Sequence, residues 1–284
     1  MESFDHRTLV SQLADDFGWL EQHAAGQADL SPHTAPLRVA AGLVRNVVGP
    51  YLDGQDARPL HLAVVGGAGT GKSTVVNFLT GRVLAEANPQ AGFTRHPTAF
   101  VARSGPDGRD ELAWSAHLGF LGPLRKLTEA APANLDEDVY QVRRVAPAGA
   151  DETIGVLRDF VVWDCPDMTT WAAGEYVPRL LEVASLADLI VFVASDERYN
   201  DVVPTEFLHL LVQSGKSVVA VLTKMREADA PALAAHFQRE VIDRLPKGVA
   251  GTSPTVPVLT IPFLTSAQLS DPVKNAAKYR IPLM

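Results

Sequence analysis

The stretch Leu60–Thr80, LHLAVVGGAGTGKSTVVNFLT, constrains this chain more than any other. An apolar, β-branched run, His61–Val65, meets a glycine-rich loop. The loop leads into a segment whose apolar helical face is made by Val75, Val76, Phe78 and Leu79. Inside it stands Gly66-x-x-x-x-Gly71-Lys72-Ser73, the pattern of a phosphate-binding loop. Gly66, Gly67, Gly69 and Gly71 let the main chain approach a phosphate where side chains would stand in the way. Successive amides, those of Ala68 and Thr70 included, then form an anion nest at the positive end of the next helix. Lys72 is expected to reach the β- and γ-phosphates, the Ser73 hydroxyl to bind Mg²⁺, and Thr74 to touch the α-phosphate.

The length, 284 residues, suits one large domain or one domain with an appendage, and 46% hydrophobic residues suffice for a substantial core. A net charge of −8 argues against a broad nucleic-acid footprint, which needs a basic face; there is no direct nucleic-acid signal. The single cysteine, Cys165, excludes an intrachain disulfide and points to a reducing compartment. The longest apolar run, Leu186–Ala194, is broken by Asp188 and is too short for a transmembrane segment. The start, MESFDHRTLV, lacks the basic-then-apolar form of a secretory signal, so the cytoplasm is the expected location. Because the sequence stops at Ile281-Pro-Leu-Met soon after its last motif, it is expected to be the front part of a longer protein.

Upstream of the loop, Phe4, Leu9, Val10, Leu13, Phe17 and Leu20 recur at helical spacing, as do Leu37, Val39, Leu43, Val44 and Val47. Two amphipathic helices are therefore predicted, over 3–24 and 34–49. Ser31-Pro32 marks a helix start. They either pack on the flank of the following unit or form part of a helical bundle completed by further C-terminal sequence. Tyr51–Pro59 reads as a linker, which divides the chain into 1–58 and 59–284. Downstream, 88–98 is a polar loop of the kind in which a switch enzyme places a threonine that completes the Mg²⁺ shell. Thr94 and Thr98 both qualify. A strand is predicted over Ala99–Arg103, a helix over Leu118–Ala130 and an alternating strand over Val139–Val145. His117 reads as structural, Arg143 and Arg144 as a solvated face, and 195–201 as an exposed charged loop.

Leu157–Asp164 is a hydrophobic strand ending in a carboxylate. That residue either faces the mouth of the phosphate loop, where it holds Mg²⁺ directly or through water, or caps a helix. Helices over 176–187, 203–213 and 231–245 then alternate with strands over 188–194, 216–222 and 256–264. This alternation predicts an α/β fold, a three-layer sandwich with a mostly parallel sheet, preceded by the two helices. The motifs fall on loops at the carboxyl edge.

Taken in order, the motifs from about Leu60 to Gln268 resemble those of P-loop GTPases of the TRAFAC class, nearest the dynamin-like and Era-like branches. Gly66–Thr74 corresponds to the first motif. Thr94-Arg95-His96-Pro97 is similar to the Thr-Arg-Arg-Pro of dynamin-like proteins. Asp164-Cys165-Pro166-Asp167 resembles Asp-x-Pro-Gly, Thr223-Lys224 resembles Thr/Asn-Lys-x-Asp, and Thr265-Ser266-Ala267 resembles Ser-Ala-Lys. The resemblance implies a Mg²⁺-dependent GTPase that binds GTP and GDP. Lys72 and Thr94 would serve catalysis. Ser73, Thr94 (or Thr98) and Asp164 would hold the metal, and the Asp167 amide would meet the γ-phosphate. Thr223, Lys224, Ser266 and Ala267 would border the base, with the Lys224 stem along it and the Ala267 N–H on its exocyclic oxygen. It further implies a G-domain dimer or a helical partner.

The chain departs from the family pattern at several positions. Arg226 stands where the family has the aspartate that reads guanine, Asp167 where it has glycine, and Met168 where Ras-like enzymes have glutamine. The Gln-Ser pair of dynamin's own loop is replaced by Ala68-Gly69. Slow basal turnover is therefore expected, raised by a partner or by self-assembly. Arg95 is either a charge donor in the reaction or a surface residue. Two alternatives stay open: a nucleotide-binding scaffold with little hydrolysis, and an ATP-using P-loop enzyme.

Overall fold

The chain is described from a computed structural model over residues 5–25, 34–52, 59–85, 96–102, 121, 124–127, 139–145, 155–158, 160–168, 177–199, 201–247 and 255–270. The strands are β1 (Leu60–Gly66), β2 (Thr98–Ala102), β3 (Arg125–Lys126), β4 (Val139–Val145), β5 (Phe160–Asp164), β6 (Leu189–Ser195), β7 (Ser217–Thr223) and β8 (Val258–Ile261). They form one eight-stranded sheet in the order β3-β4-β2-β5-β1-β6-β7-β8. Neighbours run parallel except β2 and β5, which are antiparallel.

The central strands are apolar on both faces because both faces are covered, as a parallel sheet requires. Leu62, Val64, Val162, Val191 and Val193 point to one side, where Val75 and Val76 of α3 (Lys72–Thr80) pack on them. Ala63, Val65, Val161, Trp163, Ile190 and Phe192 point to the other. There they meet Leu180 and Leu181 of α4 (Val177–Leu186), Phe207 and Leu211 of α5 (Val202–Gln213), and Phe237 of α6 (Ala230–Glu240). Trp163 is fully buried and its indole N–H donates to His61 Nδ1 at 3.0 Å, so the ring's polar edge is satisfied inside the core.

The two N-terminal helices, α1 (His6–Ala25) and α2 (Thr34–Leu43), stack outward from α4: α2 packs on α4, and α1 packs on α2. The second continues through a π-helical stretch, Val44–Val48, into a last turn, Gly49–Leu52. The wide turn carries a buried polar contact. Asn46 Nδ2 donates to Glu182 Oε2 at 3.0 Å and to Ser185 Oγ at 3.3 Å, while Arg45 Nη2 pairs with Glu182 Oε1 at 2.5 Å. A buried Glu182 needs such partners, since an unpaired buried charge is costly.

Three expectations are corrected in detail. The helix expected over Leu118–Ala130 is contradicted: Leu124 N–H donates to the Leu121 carbonyl at 2.9 Å, and Arg125–Lys126 pairs with β4 as a short strand. Pairing with a strand distant in sequence overrides the local helical spacing there. The helix expected over 231–245 stops at Glu240 and gives way to a 3₁₀ turn, Ile242–Arg244. The last strand is confined to Val258–Ile261.

The close seat of α2 on α4 can be tested at Gly42. A Cβ there would lie 2.2 Å from Ser185 Oγ and 2.6 Å from Ser185 Cβ, whereas one at Gly18 on α1 would meet nothing within 4 Å. Gly42→Leu is expected to destabilise the protein by about 1–3 kcal/mol through overpacking. Gly18→Ala should stabilise it by up to about 1 kcal/mol through helix propensity. Urea unfolding midpoints measure both; equal effects would refute the packing described.

Candidate phosphate-binding site

The loop between β1 and α3 is shaped by what its glycines avoid. A Cβ on Gly66 would come within 2.2 Å of the Val193 carbonyl oxygen on β6, so any side chain would push the loop off the sheet. Gly71, the cap of α3, has φ +93°, a conformation that favours glycine. The loop is tied from inside. The Gly67 carbonyl accepts from the Thr70 hydroxyl at 3.0 Å and from Lys72 Nζ at 3.0 Å. From outside, Thr223 at the end of β7 donates its hydroxyl to the Thr70 carbonyl at 2.6 Å. The fourth-motif threonine thus braces the loop across the sheet edge.

Two carboxylates face this loop. Register places Asp164 of β5 opposite Val64 of β1, two residues before Gly66. Its Oδ2 accepts from Ser73 Oγ at 3.0 Å. Its Oδ1 is buried and has no hydrogen-bond partner among the described residues. Burial pushes the Asp164 carboxyl up to about 6, against the pull of Lys72 and the Ser73 hydroxyl, with the Asp167 carboxylate adding to the rise. An open carboxylate oxygen beside a hydroxyl is a hard-oxygen donor pair of the kind that suits Mg²⁺. Asp167 forms a buried ion pair with the Lys72 ammonium. The sequence pointed to the amide of Asp167; the structure adds that its side chain occupies the loop lysine.

The remaining expected residues fall as follows. Thr98 opens β2 and is registered directly across from Asp164 in the antiparallel pair, while Thr94 and Arg95 lie outside the described residues, as does His117. Arg143 and Arg144 are exposed. Lys224 is exposed with φ +61°, and Arg226 is exposed, while Met225 between them is fully buried. The fifth-motif segment is linked to the fourth by the Phe263 N–H, which donates to the Met225 carbonyl at 2.8 Å. Thr265 and Gln268 form a reciprocal capping box at the start of α7 (Ser266–Ser270): Thr265 N–H donates to Gln268 Oε1 at 2.8 Å and Gln268 N–H to Thr265 Oγ1 at 3.3 Å. Ala267 is exposed just inside it. Of 195–201, Ser195 is buried and Asp196, Glu197 and Arg198 are exposed. Sequence reasoning passed over Arg179, a buried α4 residue with Nη1 3.3 Å from Nδ1 of the buried second-motif His96; nothing in local sequence joins residues so far apart.

The family model described as 50S ribosome-binding GTPase matches residues 61–224, more than half of the chain. The chain belongs to this GTPase family. Among solved structures, the GTPase-family chain is similar over 99% of its length to a chain of an oligomerised bacterial dynamin pair, with 12% identity, a TM-score of 0.51 and 51% of that chain covered. This likeness shows a shared fold. Era from Aquifex aeolicus bound to GDP·AlF4− is similar over 77% of this chain and 56% of its own, at 17% identity and a TM-score of 0.42. For Toc33 from Arabidopsis thaliana in complex with Mg²⁺ and GMPPNP the shares are 86% and 93%, at 15% identity and a TM-score of 0.40. The GTPase-family chain therefore spans little more than half the length of the Era and dynamin chains. Compared with the curated proteins, the sequence matches none. Among the described residues no helix is long and apolar enough to cross a membrane.

The perturbed carboxyl gives a pH test. Asp164 holds its proton up to about 6 when folded and to 3.8 ordinarily. The folded protein without ligand therefore binds more protons than the unfolded chain between those values, and its stability falls as pH rises through that window. The full span corresponds to roughly 3 kcal/mol as an upper bound. Urea midpoints from acid to neutral pH should fall less steeply for Asp164→Asn than for wild type; parallel profiles would contradict the shift.

Proposed function

We propose that this chain is a G domain that binds guanine nucleotides with Mg²⁺, hydrolyses GTP slowly and works as a switch or assembly module. The observation that supports it best is the pair of carboxylates at the carboxyl edge of the sheet, Asp164 on Ser73 and Asp167 on Lys72, beside a loop with no room for a Cβ at Gly66. In this reading the amides of Gly66 through Thr74 wrap the phosphates, with Lys72 at the β- and γ-oxygens. Ser73 and Asp164 would hold Mg²⁺, with Thr94 or Thr98 completing the set. Bound Mg²⁺ would neutralise charge on the phosphate oxygens. In this reading the ion shares its shell with phosphate and water oxygens.

Catalysis is then positioning and electrostatics. Met168, where a water-orienting glutamine stands in Ras-like enzymes, is fully buried in the core. That supports slow turnover by the chain alone, quickened by a second G domain or a helical partner. The buried Met168 also favours a second reading, a nucleotide-responsive scaffold that scarcely hydrolyses. Single-turnover hydrolysis measured beside nucleotide affinity separates the two. We assign the nucleotide unit to 59–284, with 1–58 as its helical segment, and place its work in the cytoplasm.

The test is titration of GTP, GDP and ATP against wild type and Lys72→Ala at several Mg²⁺ concentrations. Losing the ammonium is expected to cost nearly 3 kcal/mol, roughly a hundredfold in affinity. Equal affinities for the two proteins would refute the site. Arg226→Asp supplies the family's base-reading carboxylate and is expected to raise the preference for GTP over ATP by about tenfold or more. An unchanged ratio would show that the base lies elsewhere.

A further inference from the structure

Asp167 replaces the glycine of the third motif, and its carboxylate sits on the one cation the phosphate loop carries. Side-chain exposures of 5% for Lys72 and 10% for Asp167 put the pair out of water. The ammonium has three protons to donate. Asp167 Oδ1 takes one and the Gly67 carbonyl, at 3.0 Å, another. The turn carrying Asp167 is anchored on both sides. Cys165 and Met168 are fully buried in the core, and the Cys165 N–H donates to the Val64 carbonyl at 3.3 Å. The backbone of this turn is therefore set by packing, which brings the Asp167 carboxylate to Lys72. A second carboxylate, Asp164, already stands on Ser73 at 3.0 Å. Among the described residues, two carboxylates and one ammonium thus make these contacts before any phosphate arrives.

We propose that Asp167 is a specificity residue that favours nucleoside diphosphates over triphosphates by holding its own carboxylate where a γ-phosphate would meet Lys72. The proposal rests on the nucleotide reading above. A diphosphate can lie in the amide nest and share Lys72 with Asp167. A triphosphate brings a further anion to the same cation, in a dry site where like charges repel strongly. Asp167 must then give up Lys72, and breaking a buried ion pair is costly. Binding of the triphosphate is thereby coupled to movement of the Asp167 side chain.

The experiment compares fluorescent (mant) GDP and GMPPNP, and the corresponding adenine pair, on the full chain at fixed Mg²⁺. Wild type, Asp167→Asn and Asp167→Gly are titrated, after thermal unfolding has shown that each is folded. Wild type is expected to hold mant-GDP about tenfold or more tightly than mant-GMPPNP, a factor of ten being about 1.4 kcal/mol. Both variants should gain about tenfold for mant-GMPPNP and less than about threefold for mant-GDP on that scale. The asparagine variant keeps the shape and removes the charge, so a gain in the glycine variant alone overturns the electrostatic gate. A wild-type ratio near one overturns it without any variant. The same asymmetry confined to adenine nucleotides upholds the gate and sinks the guanine reading. No binding of any nucleotide sinks both.

Discussion

A buried ammonium has to be surrounded by oxygen, and the edge of this sheet is built around that requirement. Lys72 is the first residue of α3, behind a loop that has no room for a Cβ at Gly66, and it is buried. Without a ligand it is held by the Gly67 carbonyl and the Asp167 carboxylate. With a nucleotide, phosphate oxygens have to take over part of that role. The ammonium is consequently satisfied by an ion pair in the free protein, and the site's response to a ligand depends on how that pair is broken.

The sheet supplies the rest by register. Pairing β5 parallel to β1 puts the carboxyl end of β5 beside the start of the loop, and thus Asp164 on Ser73. Running β2 antiparallel to β5 sets Thr98 across from that same aspartate. The β6 carbonyl of Val193 forms the floor under Gly66, and Thr223 at the end of β7 clamps Thr70. Residues spread over more than 150 positions converge because the strands that bear them end at one edge.

Much of this was legible in the sequence for a simple reason. Strands β1, β5, β6 and β7 are buried on both faces, so they appear as apolar runs, and the first, third and fourth motifs sit at the ends of β1, β5 and β7. The N-terminal helices carried their own periodicity. What stayed hidden was set by partners distant in the chain. The pair Arg125–Lys126 is a strand only because β4 lies beside it, and two residues have no period of their own. The π-helical turn in Val44–Val48 follows the polar contact of Asn46 and Arg45 with Glu182, which no local spacing encodes. Asp167 was visible as a departure from glycine. The direction of its side chain depends on the buried flanks Cys165 and Met168, and so on the packed core.

Hydrogen–deuterium exchange read peptide by peptide, with and without GDP and Mg²⁺, tests most directly whether the loop beside Lys72 grips phosphate. Slower exchange confined to the peptides covering Gly66–Thr74 and the strand end at Asp164 is the result this account predicts. Saturating nucleotide that leaves those peptides unchanged, or that protects a surface elsewhere, would contradict it.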